Sequence, residues 1–171
     1  MSLSRIFPDI LRELHKLEFD YADGDGIDFE PYQEFTSRMD VQDWFKAWTG
    51  NQNSDCDDYL IFGQDGTGGY AAIWPARENK SLIEQPIVFF GSEGELGIVA
   101  SNFSDYLWLL GNNHGPYEAV AYPDDERSSN EDFLAFANKY ATTPRRQVSE
   151  IIKDAQSEFP KFEQKIRALC G

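Results

Sequence analysis

Four short apolar runs, set apart by turns rich in glycine and acid, constrain this chain more than any other feature. They are residues 59–62 (Tyr-Leu-Ile-Phe), 70–74 (Tyr-Ala-Ala-Ile-Trp), 86–90 (Pro-Ile-Val-Phe-Phe) and 96–100 (Leu-Gly-Ile-Val-Ala). Each is shorter than an ordinary helix, and most are rich in aromatic and β-branched residues, so each reads as a strand. Residues 63–69 and 91–95 supply dense turn chemistry between them. At least one glycine of the first turn is expected at positive φ, a conformation that costs glycine nothing. The runs are apolar on consecutive residues, which implies a sheet partly covered on both faces.

Helical spacing surrounds this block. From Ser4 to Phe19 the apolar residues Ile6, Phe7, Ile10, Leu11, Leu14 and Leu17 recur at three and four. A second helix is expected from Ser37 to Thr49, with Met39, Trp44, Phe45 and Trp48 on one face and Gly50 ending it. A third follows the last strand, capped by Ser101 or Asn102, with Phe103, Tyr106, Leu107 and Leu110 turned to the sheet. Residues 112–129 read as a loop and residues 130–140 as a helix. A last helix follows Pro144, kinked or split at Pro160. The fold class is therefore α+β: a mixed or antiparallel sheet of about four to six strands flanked by N- and C-terminal helices. Residues 1–171 form one domain, with 142–171 a C-terminal helical extension.

Charge narrows the range of functions. The net charge is −15. Residues 1–66 hold 15 acids against 5 bases and residues 67–141 hold 11 against 4, whereas residues 142–171 hold 4 acids and 6 bases. Such a field repels nucleic acid and anionic lipid, and it speeds association with a basic protein. The plainer reading is solubility. Cys56 and Cys170 form no metal or redox motif, residues 1–17 lack a signal-peptide pattern, and no run approaches the roughly 18 apolar residues of a membrane span. A cytoplasmic protein is expected.

Candidate chemistry is sparse. Residues 23–28 (Asp-Gly-Asp-Gly-Ile-Asp) invite a calcium-loop reading, but with Gly26 at the invariant glycine the two end ligands become Tyr21 and Tyr32. A solvated acidic loop is the better account. The glycines of residues 63–69 and 91–97 precede strands, not a helix N-terminus that would hold phosphate. His15 is expected on a helix surface and His114 in a loop, and neither sits in a catalytic motif. The four tryptophans read as core. No catalytic residue, metal or cofactor is assigned.

Residues 59–110 resemble the SUKH superfamily of fungal cell-wall assembly regulators and bacterial toxin-immunity proteins. The resemblance rests on an ordered set of motifs. Ile61-Phe62-Gly63-Gln64-Asp65-Gly66-Thr67-Gly68-Gly69-Tyr70 matches a strand ending in Phe-Gly, then a turn and a strand. A strand opening on Pro86 and a turn follow, and then a helix carrying Phe103, Tyr106 and Leu107. The family's early Trp and Leu-Pro-x-x-Tyr segment has no clear counterpart, and residues 30–35 stand in its place. The resemblance implies an α+β fold and binding without catalysis. It implies a partner that is a basic toxin domain, such as a nuclease, occluded in its active cleft. A regulatory scaffold is the second reading and a hydrolase with an acidic site the third. Asp55, Asp57, Asp58, Asp65, Glu93 and Glu95 border the predicted strands, and they are expected to form one negative rim for the partner. The alternative is that they scatter and only confer solubility.

Overall fold

Two hairpins set the sheet. In the computed structural model, which describes residues 5–171, the apolar runs become β2 (Leu60–Gln64), β3 (Tyr70–Ile73), β4 (Ile87–Phe90) and β5 (Leu96–Ala100). A short strand that the sequence did not announce, β1 (Glu30–Pro31), precedes them. The order is β1-β2-β3-β4-β5 and every pair is antiparallel. Gly68 takes φ 94 in the β2–β3 turn, as expected of that turn. Gly63 has a different reason to be glycine. A Cβ there would lie 2.1 Å from the Phe29 ring, so β1 could not approach β2.

Alternation along the strands builds two apolar faces. Leu60, Phe62, Ala71, Ile73, Ile87, Phe89 and Val99 belong to one core cluster, and Ile61, Ala72, Val88, Phe90, Leu96 and Ile98 to the other. Register shifts interrupt the pattern at Phe62 and at Val99. At the second, Val99 and Ala100 both join the first cluster, as an extra residue in a bulge permits.

Helices cover both faces. Helix α1 (Asp9–Leu14) is shorter than the sequence implied, and Ser4, its expected start, lies outside the described residues. Helix α2 (Arg38–Thr49) is capped by Ser37, whose Oγ accepts from Asp40 N at 3.2 Å. It buries Val41 and Phe45 on the second face. Met39, expected on that face, is 71% exposed, because its position points away from the stripe that Val41 sets. Helix α3 (Phe103–Gly111) is capped by Asn102, whose side chain accepts from Asp105 N at 2.8 Å. It is buried on every side, not on one. The sheet takes Tyr106, and α5 (Glu131–Tyr140) closes against Gly111, where a Cβ would lie 3.3 Å from Leu134 Cα.

Residues 148–169 do more than extend the domain. Pro160 separates α6 (Val148–Glu158) from α7 (Phe162–Leu169). Val148, Ile151 and Ile152 pack in the first cluster, and Ala155, Phe162 and Ile166 in the second. The break lets the chain wrap around β5 and cover the open edge of the sheet, which would otherwise pair with another chain.

His15 corrects a further expectation, that it lies on a helix surface. It is buried among the Phe7, Phe19, Phe29 and Phe62 rings, with Nδ1 donating to the Tyr32 carbonyl at 2.6 Å. Burial lowers its pKa to about 4, so the ring is neutral at pH 7.

Leu107, 1% exposed, should cost roughly 2–5 kcal/mol in urea unfolding when replaced by alanine. A loss near zero would refute the central placement of α3. Gly68→Val isolates backbone strain, because nothing lies within 4 Å of its Cβ position. It should lose about 1 kcal/mol or more.

Candidate protein-binding surface

Carboxylates hold the turn end of the sheet together. Asp65 is 1% exposed, and its Oδ1 accepts from Thr67 N at 2.9 Å, Thr67 Oγ1 at 2.8 Å and Gly69 N at 2.8 Å. These bonds shape the β2–β3 turn in the way short acidic side chains favour. Thr67 Oγ1 in turn accepts from Ser92 Oγ at 2.9 Å, which ties this turn to the β4–β5 turn beside it. Within the second turn, Glu95 Oε1 accepts from Glu93 N at 2.9 Å.

Two further acids extend the network. Asp28 Oδ1 accepts from Gly66 N at 2.8 Å and fixes the segment before β1 against the first turn. Glu118, 3% exposed, accepts from Asp28 N at 3.2 Å and from Gly115 N at 3.1 Å. It stands on α4 (Pro116–Ala121), a helix inside the stretch expected to be a loop. The start signal was present: glycine at the cap, proline in the first turn and glutamate three residues after the cap. Tyr117 and Tyr122 share a hydrogen bond between side chains there. That bond, then burial, pushes Tyr117 up to about 12, with the fields of Tyr122, Glu95 and Asp65 adding to it.

Two acidic loops flank these turns. Arg127 donates to the carbonyls of Gly26 at 2.6 Å, Gly24 at 3.2 Å and Asn113 at 3.3 Å, and Asn113 Nδ2 donates to Asp25 O at 2.7 Å. The residues 20–26 loop is thereby stapled to the residues 122–127 loop. Asp23, Asp25, Glu93, Asp124, Asp125 and Glu126 are exposed around this end, and so are Tyr21 at 55% and Tyr122 at 48%. Exposed tyrosines among charges are common anchors of protein interfaces.

The expected rim is divided. Asp65, Glu93 and Glu95 come together at the turn end. Asp57 and Asp58 precede β2 and lie at its opposite end, with Asp55 in the loop that leads to them. Cations already hold that pair. Asp58 meets Arg5 and Arg38, and Asp57 accepts from Lys165 Nζ at 3.1 Å and Trp74 Nε1 at 3.0 Å. Asp65 is structural rather than available, since its one hydrogen-bonded oxygen serves the turn and Oδ2 is buried. Phe62, Gly63, Gly66 and Gly69 are likewise placed in strands or turns of the sheet, and Pro86 directly precedes β4, with its carbonyl accepting from Trp74 N at 2.9 Å.

No family model matches this chain, and the comparisons with curated proteins and with solved structures return no match. Among the described residues, no three His, Cys, Asp or Glu side chains are placed to hold a metal ion, and no helix is long and apolar enough to cross a membrane.

Burial raises the pKa of Glu118 to about 7, against the opposing pull of the Asp28 and Gly115 N–H donors and of Arg127. Between 4.5 and about 7 the folded protein therefore holds a proton that the unfolded chain releases. The stabilisation is complete below 4.5 and is lost as pH rises through about 7. Glu118→Gln keeps a neutral side chain at every pH. Its stability relative to the parent should rise by as much as roughly 3 kcal/mol between pH ~4.5 and pH ~8 in urea unfolding. A pH-independent difference would refute the shift.

Proposed function

We propose that this protein acts by binding a basic protein partner at the turn end, and that the partner is a toxin domain with a cationic nucleic-acid groove. The observation that carries the reading is the composition of that surface. Asp23, Asp25, Glu93, Asp124, Asp125 and Glu126 are exposed at one end, and Arg127 beside them is engaged by backbone carbonyls. Such a surface competes for a groove built to hold phosphate. The SUKH-like order of strands, turns and helix at residues 59–110 points to immunity proteins, which bind and do not catalyse. The same reading makes the far end, with Asp57 and Asp58 held by cations, a part of the scaffold.

The test begins with the captured partner, identified by mass spectrometry and assayed for nuclease activity with and without an equimolar amount of this protein. Kinetics are then followed by surface plasmon resonance. Asp23→Asn, Asp25→Asn and Glu93→Gln combined should slow association about tenfold at low salt and leave dissociation nearly unchanged, because rim charges act on the encounter. Association of the parent should slow as salt rises. Asp57→Asn at the other end should leave the on-rate intact. Equal on-rates for the triple variant and the parent, or an uninhibited partner, would sink the proposal.

A further inference from the structure

One row of register partners crosses the sheet at its turn end. Glu30, Gln64, Tyr70, Phe90 and Leu96 pair in succession from β1 to β5. Register partners share a face, and this is the face of the second cluster, on which Tyr70 packs beside Phe90 and Leu96. Phe45, Trp48 and Phe162 close over Phe90, but the cover stops there. Tyr70 and Gln64 are half-buried and Glu30 is exposed. Half-buried Trp44 stands at the margin of the cover, 5.1 Å from the Phe90 ring and 5.2 Å from the Tyr70 ring, and nearly perpendicular to both. The buried Phe90 ring thus pins the indole against Tyr70 in an aromatic corner. Polar groups set this corner apart from the rest of the core. The indole N–H groups of Trp48, Trp74 and Trp108 donate to Gly91 O at 2.7 Å, Asp57 Oδ2 at 3.0 Å and Thr143 O at 2.8 Å. Among the described residues, Trp44 Nε1 and the Tyr70 hydroxyl have no hydrogen-bond partner and are not buried. A tryptophan and a tyrosine with free donors, half out of the core, are the residue types that anchor protein interfaces.

Charge decides what fits the corner. Glu30 ends the row, with Oε2 accepting from Gln64 Nε2 at 3.3 Å, and no ion pair holds it among the described residues. Gln64 is itself fixed by the Tyr32 hydroxyl, which donates to Gln64 Oε1 at 2.6 Å. On α2, exposed Asp40 precedes Trp44 by one turn and shares its side of the helix, whereas Lys46, two residues on, points away. The Trp48 bond to Gly91 makes this corner continuous with the β4–β5 turn. We propose that the Trp44–Tyr70 corner receives one arginine side chain of the basic protein partner, its guanidinium stacked on the two rings and facing the Glu30 carboxylate. The negative face of an aromatic ring attracts a cation, and tryptophan does so best. Arginine is favoured over lysine because its planar, weakly hydrated guanidinium stacks on a ring while its edge meets a carboxylate. Trp44 Nε1 then donates to a carbonyl of the chain that carries the arginine. The inference rests on reading the turn end as the surface for a basic protein, and it adds the chemistry of one contact.

The probe is N-acetyl-arginine methylamide, titrated into the full-length ¹⁵N-labelled protein and followed by NMR of the tryptophan indole N–H groups, with Trp44→Phe marking the Trp44 signal. The expected result is a saturable shift of that signal, while the signals of Trp74 and Trp108, held by protein acceptors, stay in place. N-acetyl-citrulline methylamide, equal in shape but neutral, should bind about tenfold more weakly, because the attraction of cation to ring is lost. N-acetyl-lysine methylamide should also bind more weakly. Glu30→Gln, at an exposed position, and Tyr70→Leu should each weaken arginine binding about tenfold, with the α3 amide signals reporting an intact fold. An unmoved Trp44 signal, citrulline or lysine that binds as tightly, or two variants that bind as the parent does overturns the corner. The surface reading survives that outcome if Asp23→Asn, Asp25→Asn and Glu93→Gln still slow association of the basic partner, so the two failures are separable.

Discussion

A sheet with two apolar faces must be covered twice, and that requirement organises the molecule. Phe62 and Phe89 point to one cluster while Ile61 and Phe90 point to the other. Burying only one face would leave the second as a large exposed apolar patch. Helices α1, α3, α4 and α5 serve the first face, and α2 serves the second. One covering segment must then pass from face to face. The Pro160 break between α6 and α7 makes that passage, and it does so around β5, the edge with no further strand beside it. Edge protection and passage between the faces are therefore met by one segment, residues 148–169. That is why the mildly basic C-terminal segment belongs to the core.

The sheet's demands also set the chemistry of its turn end. Tight turns leave backbone N–H groups without partners, and short acidic side chains supply acceptors. Asp65, Asp28, Glu95 and Glu118 each accept from one or more such groups. The solution has a cost in charge. Glu118 is buried deeply enough that it retains its proton nearly to neutral pH, and Asp65 Oδ2 is buried with no partner. The arrangement holds because the donors are backbone groups fixed by the hairpins, so the carboxylates need not be ordered by one another.

Strands were legible because composition decides them. Consecutive apolar residues over four or five positions, bounded by Gly and Asp, leave little else to form, and β5 matches its sequence bounds at both ends. Less was legible where the deciding contact is distant. β1 exists because Gly63 lets it approach β2, and two residues carry no periodicity of their own. Periodicity placed His15 on a helix, but the aromatic rings around it come from residues 7, 19, 29 and 62, so its burial is a tertiary fact. The candidate surface was half legible. The turn acids Asp65, Glu93 and Glu95 follow from strand order, since alternate turns of a meander share an end. Asp57 and Asp58 bordered a strand in sequence just as closely, but at its other end, and the cations that hold them come from residues 5, 38 and 165. Asp28 and the 122–127 loop join the surface through Gly66 and Arg127, contacts that span 38 and about 100 residues of chain.

The acids of the turn end fall into two groups, and the fold uses only the first. Asp65, Asp28, Glu95 and Glu118 satisfy N–H groups that the turns create. The carboxylates of Asp23, Asp25, Glu93, Asp124 and Glu126 make no hydrogen bond or ion pair among the described residues, and Asp125 comes no nearer to Arg127 than 3.9 Å. Adding unpaired negative charge beside buried carboxylates works against stability, because like charges within a Debye length of about 10 Å repel. Solubility would be served as well by the same charges spread over the molecule, at less repulsion. Concentrating them where the framework is already negative raises the local field, and a raised field acts on what approaches. On the proposed reading, the stability given up at this end serves to draw in a cationic partner, and the exposed Tyr21 and Tyr122 would give that partner apolar area to settle on.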